Sequence, residues 1–114
     1  MPYLLIRTSA GDNSTDNTTL LGEASRLIAG QLGKPERYVM VSLEAGVPML
    51  FGGSAEPAVY MELKSIGLPE SRTAELSAAL AQFATTHLGI PAERVYIEFA
   101  DAARHMWGFN GGTF

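Results

Sequence analysis

Few residues of this chain can do bond-making chemistry, and the one in the most telling place is Pro2, directly after Met1 and ahead of the apolar run Tyr3-Leu4-Leu5-Ile6. Two readings of it stand side by side. A proline is tolerated at the first residue of a strand because it has no N–H to give to a ladder. Alternatively, loss of Met1 exposes a secondary amine fixed by its ring to the end of a rigid element, which is a base. An ordinary α-amine titrates at about 7.7–8.0, and burial or a nearby cation lowers it toward the range a general base needs. Other chemistries find little support. His87 and His105 have no ligand spacing and there are no cysteines, so thiolate catalysis, disulfides and a Cys-based metal site are excluded. No Ser–His–Asp motif is present, and the glycine pairs do not match a phosphate-binding loop.

The bulk properties narrow the class of partner. The chain has 114 residues, a net charge of −4 and only 18% charged residues, with no stretch that concentrates Lys or Arg. That argues against nucleic acid and against anionic membrane, both of which require a basic footprint. The length suits one domain, residues 1–114. The N-terminal apolar run is too short for a membrane span and lacks the basic start of a signal peptide, so the expected location is cytoplasmic.

The elements that must position Pro2 are read from hydrophobic periodicity. Pro2–Thr8 reads as a strand and Ala10–Asn17 as a loop, with Asp16, Asn17 or Thr18 able to cap the next helix. Leu20, Leu21, Ala24, Leu27, Ile28 and Leu32 make one helix face; Gly33 ends the helix and Pro35 keeps it from resuming. Tyr38–Leu43 and Ala58–Ile66 are strands, and Met49–Phe51 is a short strand piece. A second helix opens at Pro69–Ser71 and carries Leu76, Ala79, Leu80, Phe83, Ala84 and Leu88 on one face. Val95–Phe99 is the fourth main strand, and Asn110-Gly111 marks a tight hairpin turn.

Gly33-Lys34-Pro35 recurs as Gly89-Ile90-Pro91, and Val39-Met40-Val41 as Val95-Tyr96-Ile97, both at an offset of 56 residues. The repeat implies two tandem βαβ units, about 2–56 and 57–114. The expected fold class is α/β (α+β), with one four-stranded mixed sheet and both helices on one face. Apolar residues fall on both sides of the pleat in Val95–Phe99 and Ala58–Ile66, so the helix-free face requires cover from identical subunits.

The same residues carry a family resemblance. Met1-Pro2, Gly33-Lys34-Pro35, Phe51–Pro57 (FGGSAEP), Ser65-Ile66-Gly67, Arg94–Ile97 (RVYI) and the terminal Asn110-x-x-Thr113-Phe114 resemble macrophage migration inhibitory factor and D-dopachrome tautomerase over the whole length. The resemblance implies a homotrimer whose three sheets form a barrel wrapped by helices. It also implies keto–enol tautomerisation of small aromatic 2-keto acids or their enols, with Pro2 as the proton shuttle and no cofactor. Lys34 and the backbone N–H of Ile66 would contact the substrate's acidic groups, and Tyr96 of a neighbouring subunit would line the pocket. The resemblance also admits a cytokine-like role with a protein receptor, a vestigial pocket, and secretion without a signal peptide.

Each of these residues also has a plainer reading: Lys34 as a cation at a helix end, Ile66 as packing, Tyr96 as interface filler. Tyr38, Trp107 and Phe114 are either aromatic walls or hairpin packing. Relatives commonly have Asn where this chain has Glu98. If Glu98 faces the pocket it sets a negative charge beside an acidic substrate, with Lys64 as the candidate to offset it.

Overall fold

A computed structural model describes residues 1–11 and 17–114. Its main strands are β1 (Tyr3–Thr8), β2 (Met40–Glu44), β3 (Val59–Ile66) and β4 (Val95–Ala102), and its helices are α1 (Asn17–Leu32) and α2 (Thr73–Leu88). The sheet order is β2-β1-β3-β4. β1 runs parallel to β2 and β3 parallel to β4, as βαβ crossovers require, while β1 and β3 meet antiparallel at the centre. The 56-residue offset runs through the fold: α1 and α2 are each 16 residues long and begin 56 residues apart, and so do β1 and β3. Gly33 and Gly89 both end their helices in the left-handed conformation, at φ 64° and 69°, where a Cβ would be strained.

The core is a single layer between the sheet and the helices. Leu4 and Ile6 of β1 and Met61 and Leu63 of β3 are fully buried and meet Leu20, Ala24 and Ile28 of α1 and Leu76, Leu80 and Ala84 of α2. Val95, Ile97 and Phe99 of β4 pack against this layer from the edge. Each Leu or Ile buried there contributes about 1.5–3 kcal/mol.

Several boundaries differ from the sequence reading, each for a local reason. Tyr38 closes a short 3-10 turn, Glu36–Tyr38, and the strand starts at Met40. A matching turn, Glu70–Arg72, precedes α2 after Pro69. In both places proline's lack of an N–H favours a turn before the regular element begins. Met49 and Leu50 form no strand, and Phe51 only bridges to Ser54 across the Gly52-Gly53 turn. β4 continues past Phe99 to Ala102, because β3 pairs with it along its whole length. The loop expected at 10–17 and the cap candidate Asp16 fall mostly or wholly outside the described residues; Asn17 and Thr18 are already helical.

The open face of the sheet is mixed rather than apolar. Register and alternation place Tyr3, Leu5 and Arg7 there, beside Tyr60, Glu62 and Lys64, with Tyr96 and Glu98 at the β4 edge. Arg7 is paired with Glu44, Lys64 with Glu62 at 3.5 Å, and the Tyr3 hydroxyl with Ser42 Oγ at 2.7 Å. Such a face does not need a dry cover. It suits a surface that stays wet when partly enclosed.

Candidate active site

Pro2 lies at the head of β1 and is fully buried. Its carbonyl accepts the Met40 N–H at 3.0 Å, which pins the start of β1 to the start of β2. A cavity of about 300 Å³ opens over it. β1 contributes Pro2 and Tyr3 to its wall, and the turn before β2 contributes Arg37 and Tyr38. The far side comes from the C-terminal tail as Trp107, Phe109 and Phe114.

The tail reaches this place by turn chemistry. β5 (Gly108–Phe109) and β6 (Gly112–Thr113) form a hairpin around Asn110 and Gly111, at φ 52° and 80°. Two successive positive φ values are what an Asn-Gly pair permits. The Phe114 N–H donates to the Trp107 carbonyl at 3.2 Å and closes the hairpin. Phe109 and Phe114 stack with centroids 5.0 Å apart, and both meet the Tyr38 ring edge-on, at 5.6 and 6.0 Å. These contacts bring the three candidate aromatic walls, Tyr38, Trp107 and Phe114, to one cavity.

The electrostatics at the amine are cationic. The Met1 ammonium is held below its ordinary pKa, first by burial and then by the charges of Lys34 and Arg104. Each effect penalises a positive charge at that end of the chain. Lys34 comes from the turn after α1, where its N–H donates to the Ala29 carbonyl at 3.1 Å. Arg104 begins the short turn Arg104–Met106, and its carbonyl accepts the Trp107 N–H at 3.2 Å. Sequence reasoning missed Arg104 and Arg37. The available signal was the spacing of Arg104 three residues before a wall aromatic, and it becomes visible only once the hairpin is known to fold over Pro2.

The remaining predicted residues lie elsewhere. Lys64 stands opposite Tyr3, and Ile66 ends β3 two residues beyond it, before a turn held by the Leu68 N–H bond to Asp101 Oδ1 at 3.0 Å. Neither forms part of the cavity wall. Within the chain Lys64 is engaged by Glu62, not by Glu98, so the expected offset of Glu98 by Lys64 is not made there. Tyr96 and Glu98 sit on β4, two strands away from β1. Tyr96 is level with Tyr60 and Arg7, roughly 13 Å along the strands from Tyr3. Tyr96 is 64% exposed and lines a second cavity of about 510 Å³ with Phe51, Tyr60 and Arg7. One chain therefore does not join Tyr96 or Glu98 to Pro2. Among the described residues no group of three or more His, Asp or Glu side chains is placed to hold a metal ion.

Fold and site together define a two-βαβ domain with an aromatic cavity, lined on one side by Arg37, over a proline that directly follows Met1. Residues 1–114 match the macrophage migration inhibitory factor (MIF) family, and the chain belongs to that family. It is 40% identical to a macrophage migration inhibitory factor homolog of Brugia malayi, covering 100% of this chain and 99% of the relative. A homolog of Trichuris trichiura is 38% identical, with full coverage of both. Among solved structures, the Prochlorococcus marinus homologue superposes with a TM-score of 0.94 at 48% identity, covering 98% of each chain. The Trichinella spiralis protein does so with a TM-score of 0.90 at 36% identity, covering 98% of this chain and 99% of its own. The four-stranded mixed sheet with two helices is the architecture of these structures. The family includes tautomerases and cytokine-like members.

Proposed function

We propose that this protein is a cofactor-free keto–enol tautomerase of small aromatic 2-keto acids, acting through the Pro2 nitrogen after loss of Met1. The observation that carries this reading is a buried proline at the floor of an aromatic cavity, in surroundings that disfavour an ammonium ion at the terminus. In the ketonisation direction, the amine takes the enol's hydroxyl proton and the resulting ammonium returns a proton to the neighbouring carbon. In the reverse direction it takes the carbon-bound proton and returns one to oxygen. No electron or group is exchanged with a second reactant. A base of near-neutral pKa, with cations to hold the enolate and carboxylate charge, is what this transfer requires.

Lys34 is assigned to the substrate carboxylate, and Tyr38, Trp107 and Phe114 to the ring. The protein works as a homotrimer in this proposal. Met40, Leu50 and Tyr96 are large side chains left 67%, 74% and 64% exposed, a pattern that fits burial against further copies. A neighbouring copy then supplies Tyr96 and Glu98 to a site that one chain leaves incomplete. The charged pairs on the open face fit an open-ended barrel.

The test is turnover of phenylenolpyruvate by Met1-processed protein and by Pro2→Gly. A large loss in the variant is expected, and equal rates would remove Pro2 from the mechanism. Intact mass of the protein from its own cell decides the rival, binding-only reading. A retained Met1 leaves Pro2 as an amide, which cannot serve as the base.

A further inference from the structure

The chain is acidic overall, yet its unpartnered cations gather at one place. Of eight Lys and Arg residues, four are ion-paired: Arg7 with Glu44, Arg26 with Glu23, Lys64 with Glu62 and Arg72 with Glu75. Arg94 is saturated by backbone carbonyls of residues 51–57. The three left over are Lys34, Arg37 and Arg104. None has an acidic partner or a hydrogen-bond acceptor for its side chain among the described residues.

Arg37 stands in the wall of the Pro2 cavity, and the charges of the other two are felt at the chain terminus beside it. The Arg37 guanidinium lies 4.7 Å from the centroid of the Tyr38 ring that forms the aromatic wall. Arg104 opens the turn whose backbone holds Trp107 on the opposite side. The charges of Lys34 and Arg104 both reach the terminal amine. One cation suffices to hold one carboxylate. Arg37 in the cavity wall and Arg104 at the head of the turn that leads to Trp107 add two guanidiniums, each with an unused fork of N–H donors, and are matched to a second anionic group beyond the ring.

We propose that Arg37 and Arg104 form a second anion subsite at the mouth of the cavity, so that the preferred ligand is a dianion: an aromatic 2-keto acid bearing a second carboxylate on the ring, distal to the keto acid. The inference rests on the proposed site and narrows its substrate class. Lys34 holds the keto-acid carboxylate near Pro2, the aromatic walls hold the ring, and the guanidiniums hold the distal carboxylate. The arrangement also offsets any negative charge that Glu98 of a neighbouring copy brings to the rim.

The experiment measures calorimetric affinity of Met1-processed protein for phenylpyruvate and for (4-carboxyphenyl)pyruvate at 50 mM and 200 mM salt, for the wild type, Arg37→Ala, Arg104→Ala and the double variant. The wild type is expected to bind the dianion about tenfold more tightly at low salt, with the margin shrinking at high salt. Each single variant should keep about a threefold preference and the double variant none. Equal affinity of the wild type for both ligands overturns the subsite, and so does a preference that survives in the double variant. Binding is read independently of turnover. Turnover of phenylenolpyruvate without the dianion preference leaves the tautomerase reading standing and sinks the subsite, whereas the preference without turnover does the reverse.

Discussion

The two halves of the sheet carry corresponding cavities, and their difference shows what makes one of them a candidate site. At the 56-residue offset Pro2 corresponds to Ala58, Tyr38 to Arg94 and Met40 to Tyr96. The first cavity lies over Pro2 with Tyr38 and Met40 in its wall, and the second lies over Ala58 with Tyr96 in its wall. The backbone scaffold is the same. At Ala58, however, the chain continues as an amide whose N–H donates to Ser9 Oγ at 3.0 Å, so no base can exist there.

The closing element differs as well. Arg94, in the place of Tyr38, donates to the carbonyls of Phe51, Ser54, Glu56 and Pro57 at 2.9–3.1 Å, and its guanidinium lies 5.1 Å from the centroid of the Phe51 ring. That side chain fastens a loop. Its counterpart Tyr38 instead offers a ring to a cavity. One scaffold thus has a structural end and a chemical end. They are distinguished by the residue ahead of the first strand and by the side chain that closes the 3-10 turn.

The comparison breaks most sharply at the amine. An extra alanine between Met1 and Pro2 leaves the ring in place but turns its nitrogen into an amide, as at Ala58. Tautomerase kcat/KM is expected to fall about 10²–10⁴-fold, the usual contribution of a positioned general base; steady-state kinetics on phenylenolpyruvate reads this, and an unchanged rate would erase the proposed distinction between the two cavities. At the structural end, Arg94→Ala removes the side-chain donor shared by four backbone carbonyls, of which those of Phe51 and Ser54 keep their mutual backbone bonds, and should lower stability by about 1–2 kcal/mol in urea denaturation. The same change should weaken assembly, because the loop presents Leu50.

A smaller effect concerns pH. Burial, Lys34 and Arg104 lower the pKa of the Met1 amine, and the same surroundings are expected to act on the Pro2 amine once Met1 is lost, so its free-base form should persist to lower pH than in bulk solvent and activity should fall as pH drops through the lowered value. Lys34→Ala removes one of the repelling cations, raises the pKa and should move the acid limb of the kcat/KM profile to higher pH. A limb displaced downward would reverse the assignment of Lys34's charge. The smallest change expected is in the hairpin that closes the first cavity. Gly111→Ala forces a Cβ into φ 80° and should cost about 1 kcal/mol, visible as a few degrees in Tm.

Local pattern settled a good deal of this molecule. The periodic apolar residues marked both helices, and Gly33 and Gly89 marked their ends, because a 3.6-residue stripe and a left-handed terminal residue are properties of the segment itself. The repeat offset and the parallel pairing within each half came from the same local signals, through the handedness of the crossover. Asn110-Gly111 likewise announced its hairpin, and Pro2 announced itself by its place.

Other features depended on contacts between residues far apart in the chain. The strand order β2-β1-β3-β4 and the antiparallel seam between β1 and β3 arise where two repeats bury a shared core, which no single segment encodes. Apolar residues on both sides of the pleat pointed to an open face in need of cover, because alternation along one strand does not say that Glu62 will meet Lys64 or that Arg7 will meet Glu44. The place of Arg37 in the cavity wall, and the reach of Lys34 and Arg104 to the terminal amine, were hidden for the same reason. Sequence determines which side chains are charged, but only the fold decides which of them find a counter-ion and which are left facing a cavity.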